Sequence, residues 1–154
     1  MALFEWLQSS ALAQALRDYP SLTAWLSATH AIGFTLVMSG GVIWNFWASG
    51  ILLGEQSTAS ITRPAVRVLL TGLTISVVTG LILFTPRAPG TATNSVFQLK
   101  ILLILAAATF QLSVTSMVAR RMTLSLRWLR AGGVLGLTLW LSLALTACWF
   151  ILFE

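Results

Sequence analysis

Four apolar stretches, each long enough to cross a bilayer, leave this chain little alternative to a bundle of membrane-spanning helices. A hydrocarbon core of about 30 Å needs about 20 apolar residues in helical form, and inside it every backbone N–H and C=O must be satisfied within the protein. The stretches cover residues 21–53, 65–84, 96–118 and 131–153 of the 154. Hydrophobic residues make up 57% of the chain and charged residues 8%, far from the balance of a soluble domain. The expected fold is all-α: an integral membrane four-helix bundle with an N-terminal interfacial amphipathic helix over residues 1–19, forming one membrane domain over 1–154.

Local signals refine these boundaries. Pro20 separates the amino helix from the first span, which exceeds the bilayer core at roughly 50 Å if wholly helical. Trp25 near one end and Trp44 with Trp47 near the other are expected at the two membrane interfaces. Pro64 occupies a first-turn position before the second span, and a loop, TPRAPGTATN, follows that span. Ser95 and Gln98 have the S-x-x-Q spacing of a capping box opening the third span. In the amino segment, Glu5 stands where a secretory signal carries basic residues, so the segment is expected to be retained. Its Leu3, Phe4, Leu7, Ala11 and Ala15 share a face, and Trp6 is its expected anchor.

Nine basic against four acidic residues give a net charge of +5, but the arginines flank apolar runs instead of forming a stripe that follows a phosphate backbone, so nucleic acid is not an expected partner. The excess instead sets topology. Arg63, Arg67, Arg120, Arg121, Arg127 and Arg130 fall on one side of the four spans and Arg17, Arg87 and Lys100 on the other. Cytoplasmic loops carry the surplus, which places both termini in the periplasm of a bacterial inner membrane. Small residues supply the packing faces: Gly72, Ser76 and Gly80 at four-residue intervals, Gly132 and Gly136 as a GxxxG, and Gly33, Gly40 and Gly41 in the first span. With one face to spare, the chain is expected to form a homo-oligomer or to join a larger membrane complex. The single cysteine, Cys148, rules out an intrachain disulfide.

The chemistry centres on His30, the sole histidine, placed inside the first span. Alternating passages bring His30, Lys100 and Cys148 to within about 10 Å of the same boundary by helical rise, with Gln98, Arg87 and Asn94 nearby. A purely structural account has His30 bonding a hydroxyl such as Ser27 or Thr29, Lys100 snorkelling to the headgroups, and Cys148 and Met38 packing as small or flexible hydrophobes. The functional account is a cofactor site. For haem b, His30 is the axial ligand, Gly33 makes room for the ring, and Lys100 and Arg87 meet the propionates. One histidine per chain then requires five-coordinate iron, a second ligand such as Met38, or an iron shared by two protomers. For copper, the donors are His30, Met38 and Cys148, although His30 and Met38 are about 12 Å apart along one helix axis. A chain with no cofactor, acting as a structural or assembly subunit, is the third reading.

An enzyme acting alone is not expected. H-E-x-x-H and G-x-S-x-G are absent, and the carboxylates Glu5, Asp18, Glu55 and Glu154 all lie outside the spans. The same placement argues against proton-coupled transport.

The runs YPSLTAWLSATHAIGFTLVMSGGVIWNFWASGILL and LILFTPRAPGTATNSVFQLKILLILAAATFQ resemble the small four-helix bacterial inner-membrane proteins of the copper-resistance-D-like type or of unknown function. In those proteins a histidine in the first long span and an asparagine-phenylalanine-lysine pattern opening a later one recur, corresponding here to His30 and to Asn94, Phe97 and Lys100. Where such proteins carry an acidic residue with an arginine after the first span, this chain has Asn45. The resemblance implies an inner-membrane bundle linked to copper or electron transfer.

Overall fold

Helix formation follows the apolar runs, and tertiary contact then sorts their small faces. The computed structural model describes residues 2–53, 55–120 and 125–153; Arg121 and Glu154 lie outside them. Among the described residues there are seven α-helices and no strand: α1 (Ala2–Gln8), α2 (Ala11–Asp18), α3 (Pro20–Ser49), α4 (Thr58–Phe84), α5 (Ala88–Thr93), α6 (Ser95–Ala119) and α7 (Leu126–Phe153). A single 3-10 turn, Thr85–Arg87, joins α4 to α5. Helices α3, α4, α6 and α7 are long and apolar enough to cross a membrane, which makes this a multi-pass membrane protein.

Around the bundle the order is α4, α3, α7, α6, and α4 meets α6 only sparsely. Both described ends of the chain lie at one end of the bundle, together with α1, α2, the 3-10 turn and α5. The C-terminal ends of α3 and α6 and the starts of α4 and α7 lie at the other end, with Arg63, Arg67, Arg120, Arg127 and Arg130 in or beside them. There Gly50 closes α3 in the left-handed region at φ 73°. A Cβ on Gly50 would sit 3.2 Å from Nε of Arg130, so the guanidinium lies close to the negative end of the α3 dipole.

The glycine stripes are used within the protomer. On the α3–α4 seam, a Cβ on Gly33 would come within 2.9 Å of the backbone nitrogen of Ser76, and one on Gly72 would strike the backbone of Gly33 and Val37. One on Gly40 would meet the carbonyl of Ala65. The two glycines of the GxxxG face different neighbours: Gly136 lies under the Asn45 amide of α3, whereas Gly132 faces Phe110 of α6 at 3.9 Å. Within the bundle Gly33, Gly40 and Gly72 serve backbone approach, whereas Gly41, Gly80 and Gly136 seat the side chains of Trp140, His30 and Asn45. The core is built on these seams from Val37, Leu69, Ala107, Trp140 and Leu143, with a second cluster of Trp44, Ala48 and Ala65 nearer the arginine-rich end. The outward stripe of α7, Leu141, Leu145, Cys148, Trp149 and Leu152, is exposed, as lipid contact requires.

Several local expectations are corrected. The amino segment forms two helices, because Ser10 caps α2 by accepting from the amide of Ala13 (3.2 Å) while Arg17 folds back to the carbonyl of Gln8 (3.0 Å). Its buried residues are Ala13 and Leu16. The proline-containing loop is itself helical over most of its length, and α4 begins at Thr58, leaving Pro64 inside it. The cap of α6 is Asn94, whose Oδ1 accepts from the amide of Phe97 (2.9 Å); Gln98 donates to the carbonyl of Ala92 (2.9 Å) instead of closing a box with Ser95. Trp25 is exposed as an interface residue would be, but Trp44 is buried and its indole donates to the hydroxyl of Thr62 (3.2 Å). It is a core residue.

Candidate functional site

The end of the bundle that holds both termini is closed by a chain of phenylalanines drawn from four helices. Phe84 of α4 stacks on Phe97 of α6 with centroids 5.5 Å apart, Phe97 lies 6.0 Å from Phe150 of α7, and Phe4 of α1 meets Phe84 edge-on at 5.9 Å. Gln8 adds a hydrogen bond to the carbonyl of Pro86 (3.3 Å). Through Phe4 and Gln8, α1 is seated on the mouth of the bundle.

One turn below this aromatic layer lie the two ionisable side chains. Gly80, a turn before Phe84, carries the His30 ring against its bare Cα: an added Cβ would be 3.0 Å from Cε1. Lys100, a turn beyond Phe97, directs its ammonium over the Phe150 ring at 5.9 Å from the centroid. The structure therefore places the two at one depth, on α3 and α6. No ion pair to Lys100 is present among the described residues.

His30 is oriented by α4. Its Nδ1 lies 3.0 Å from Oγ1 of Thr79, and that hydroxyl donates to the carbonyl of Ile75 at 2.6 Å. A threonine has one hydroxyl proton, so both contacts are made at once only by the tautomer in which Nδ1–H donates to Thr79 and Thr79 donates to Ile75, and in that tautomer Nε2 keeps its lone pair. The carbonyl of His30 accepts from Ser76 at 3.5 Å. The hydroxyls expected to serve His30 are engaged otherwise or exposed: Thr29 donates to the carbonyl of Trp25, and Ser27 is exposed.

The remaining predicted site residues are dispersed. Gly33 is buried in the α3–α4 seam, where Ile75 and Ser76 fill the space beside it. Arg87 is exposed on the 3-10 turn. Met38 lies about 12 Å along α3 from His30 by helical rise and packs on the central cluster. Cys148 is exposed on the outward stripe of α7. Asn94 and Gln98 serve the helix start. Among the described residues no group of three or more His, Cys, Asp or Glu side chains could hold a metal ion.

Sequence reasoning missed Thr79 and the phenylalanine layer. Thr79 is the residue before Gly80 in a stripe already recognised as small, so a seam drawn from His30 to that stripe was the available signal.

Together these features define a multi-pass four-helix membrane bundle with a half-buried, oriented histidine and a lysine at the same depth, one turn beneath an aromatic cap. No family model, curated protein or solved structure matches the chain.

Proposed function

We propose that this chain is a membrane component, non-enzymatic on its own, that holds a redox or metal cofactor through His30 at the end of the bundle carrying its termini. The observation that supports this most directly is the Thr79 clamp, which orients the imidazole and leaves Nε2 free as a donor atom, the role a hydrogen bond to the other ring nitrogen commonly plays at metal and haem histidines. Lys100 supplies a cation at the same depth for an anionic group of the ligand.

The residues fit haem in part. His30 suits an axial ligand and Lys100 a propionate, but Gly33 provides no room for the ring, because α4 occupies its open side. The sparse α4–α6 seam is the side of the bundle offering access from lipid. When bound, haem would supply one-electron chemistry, while the chain's own residues orient His30 and keep a cation beside it. Copper fits less well, since His30, Met38 and Cys148 do not converge within one protomer, and an ion on His30 would need donors from a partner. The copper-resistance-D-like resemblance and the count of flanking arginines support a periplasmic site in a bacterial inner membrane under this reading.

An assembly subunit is the second reading. The bonds from His30 to Thr79 and from Ser76 to His30 are of the kind that hold spans together without a ligand.

Purification in mild detergent, followed by an absorption spectrum and elemental analysis, separates the two. A Soret band or stoichiometric metal that disappears in His30→Ala is the expected result. A colourless, metal-free protein from cells supplied with haem precursor and copper supports the assembly reading, and a cofactor unaffected by His30→Ala ends the ligand assignment.

A further inference from the structure

The buried amides of Asn45 and Gln111 are about 22 Å along the bundle from His30, by the rise over the fifteen residues between His30 and Asn45. They are among the most deeply buried side chains, with exposures of 0% and 1%. Asn45 Nδ2 donates to the carbonyl of Gly41 (2.7 Å) and to Oε1 of Gln111 (2.5 Å), and the indole of Trp140 donates to that same oxygen (3.1 Å). Two atoms have no partner among the described residues: Oδ1 of Asn45, an acceptor, and Nε2 of Gln111, a donor.

Neither is a matter of how the amides are turned. An indole N–H only donates, so Gln111 must offer Trp140 its oxygen, and a backbone carbonyl only accepts, so Asn45 must offer Gly41 its nitrogen. Rotating either amide by half a turn sets donor against donor or acceptor against acceptor. Leaving such groups unpaired in a buried site costs about 1–3 kcal/mol each, so a partner is called for.

We infer that Asn45 and Gln111 bind one internal water molecule between α3, α6 and α7. The chemistry of the pair selects the ligand. A cation is repelled by the Nε2 hydrogens and an anion by Oδ1, whereas a neutral molecule that both accepts and donates satisfies both. Internal waters serve buried polar groups of this kind. Size points the same way. Gly136 presses its bare Cα against the Asn45 amide, so the space beside the pair is small. A water here makes Asn45 and Gln111 a complete hydrogen-bonded joint of three spans.

The test is proton NMR of the full chain in detergent micelles with side-chain amides labelled. The expected result is a cross-peak from a bound water to the Gln111 Nε2 protons in the native protein. It should be lost in Asn45→Leu, while the Trp140 indole shift, reporting its bond to Gln111, is kept. Should Asn45→Leu fail to fold, a crystal structure of the native chain at a resolution that shows ordered water decides alone. Density for one water within hydrogen-bond distance of both atoms upholds the inference. Amides paired reciprocally with no third atom, or both atoms facing only carbon, overturn it.

Discussion

Thr79 commits its only hydroxyl proton to Ile75, and the orientation of His30 depends on the lone pair left over. Thr79→Val keeps the shape and removes that acceptor, leaving Nδ1–H without a partner in the seam. A loss of about 1 kcal/mol of stability is expected, read as a lower unfolding temperature in detergent, and Thr79→Ser, which keeps an oxygen, should recover most of it. Unchanged stability in Thr79→Val would mean that the hydroxyl does not hold the ring. The same dependence shows why the site was only partly legible. That His30 and Lys100 share a depth follows from counting spans, since depth is set by helical rise. Which side chain His30 bonds is set by rotation about the helix axis, and an apolar sequence carries little signal for that. Asn45 and Gln111 show the gap more sharply: Asn45 is the lone amide of its span and Gln111 the one amide in the interior of its own, a cue for interhelical bonding, yet nothing in the order of residues pairs position 45 with position 111.

At the level of the helix, bare Cα atoms decide which pairs can approach. Gly90, in α5, has no atom within 4 Å of an added Cβ; Gly132 has its nearest at 3.9 Å, while a Cβ on Gly136 would run into the Asn45 amide. Gly90→Ala is therefore expected to leave stability unchanged or to raise it by about 0.5–1 kcal/mol, through backbone entropy. Gly132→Ala should be tolerated. Gly136→Ala should cost about 1–3 kcal/mol through overpacking and displacement of Asn45. Unfolding of the three variants in one detergent checks the ranking, and equal effects at Gly132 and Gly136 would contradict the assignment of the two glycines to different neighbours. The glycines were visible as stripes from the sequence, as were the four spans, because composition and hydropathy suffice for both. Their partners were not, since a four-residue repeat reads the same whether it meets another helix of the chain or another copy. Helix ends failed for a local reason: Asn94 and Ser95 are both good caps, and only the fold of the segment before them shows which one is used.

For the molecule as a whole, what remains is which face of the membrane the aromatic cap meets. The bundle puts Arg17, Arg87 and Lys100 toward one end, with Arg63, Arg67, Arg120, Arg127 and Arg130 toward the other. Moving the arginine-rich end across the membrane during insertion is disfavoured, so the termini and the His30–Lys100 pair should face the periplasm. The chain allows a direct check, because Cys148 is its one cysteine and Cys148→Ser leaves a background without thiols. In that background Gln8→Cys, on the exposed surface of α1, should react with a membrane-impermeant maleimide in intact spheroplasts. Gln56→Cys, in the connection between α3 and α4, should react only after the membrane is opened. The two positions are at opposite ends of the bundle, so their labelling must be reciprocal in any single orientation. Labelling of Gln56→Cys alone in intact spheroplasts would turn the molecule over, and His30 would then serve a ligand supplied from the cytoplasm. Labelling of both would mean a mixed insertion that the arginine surplus is too small to prevent.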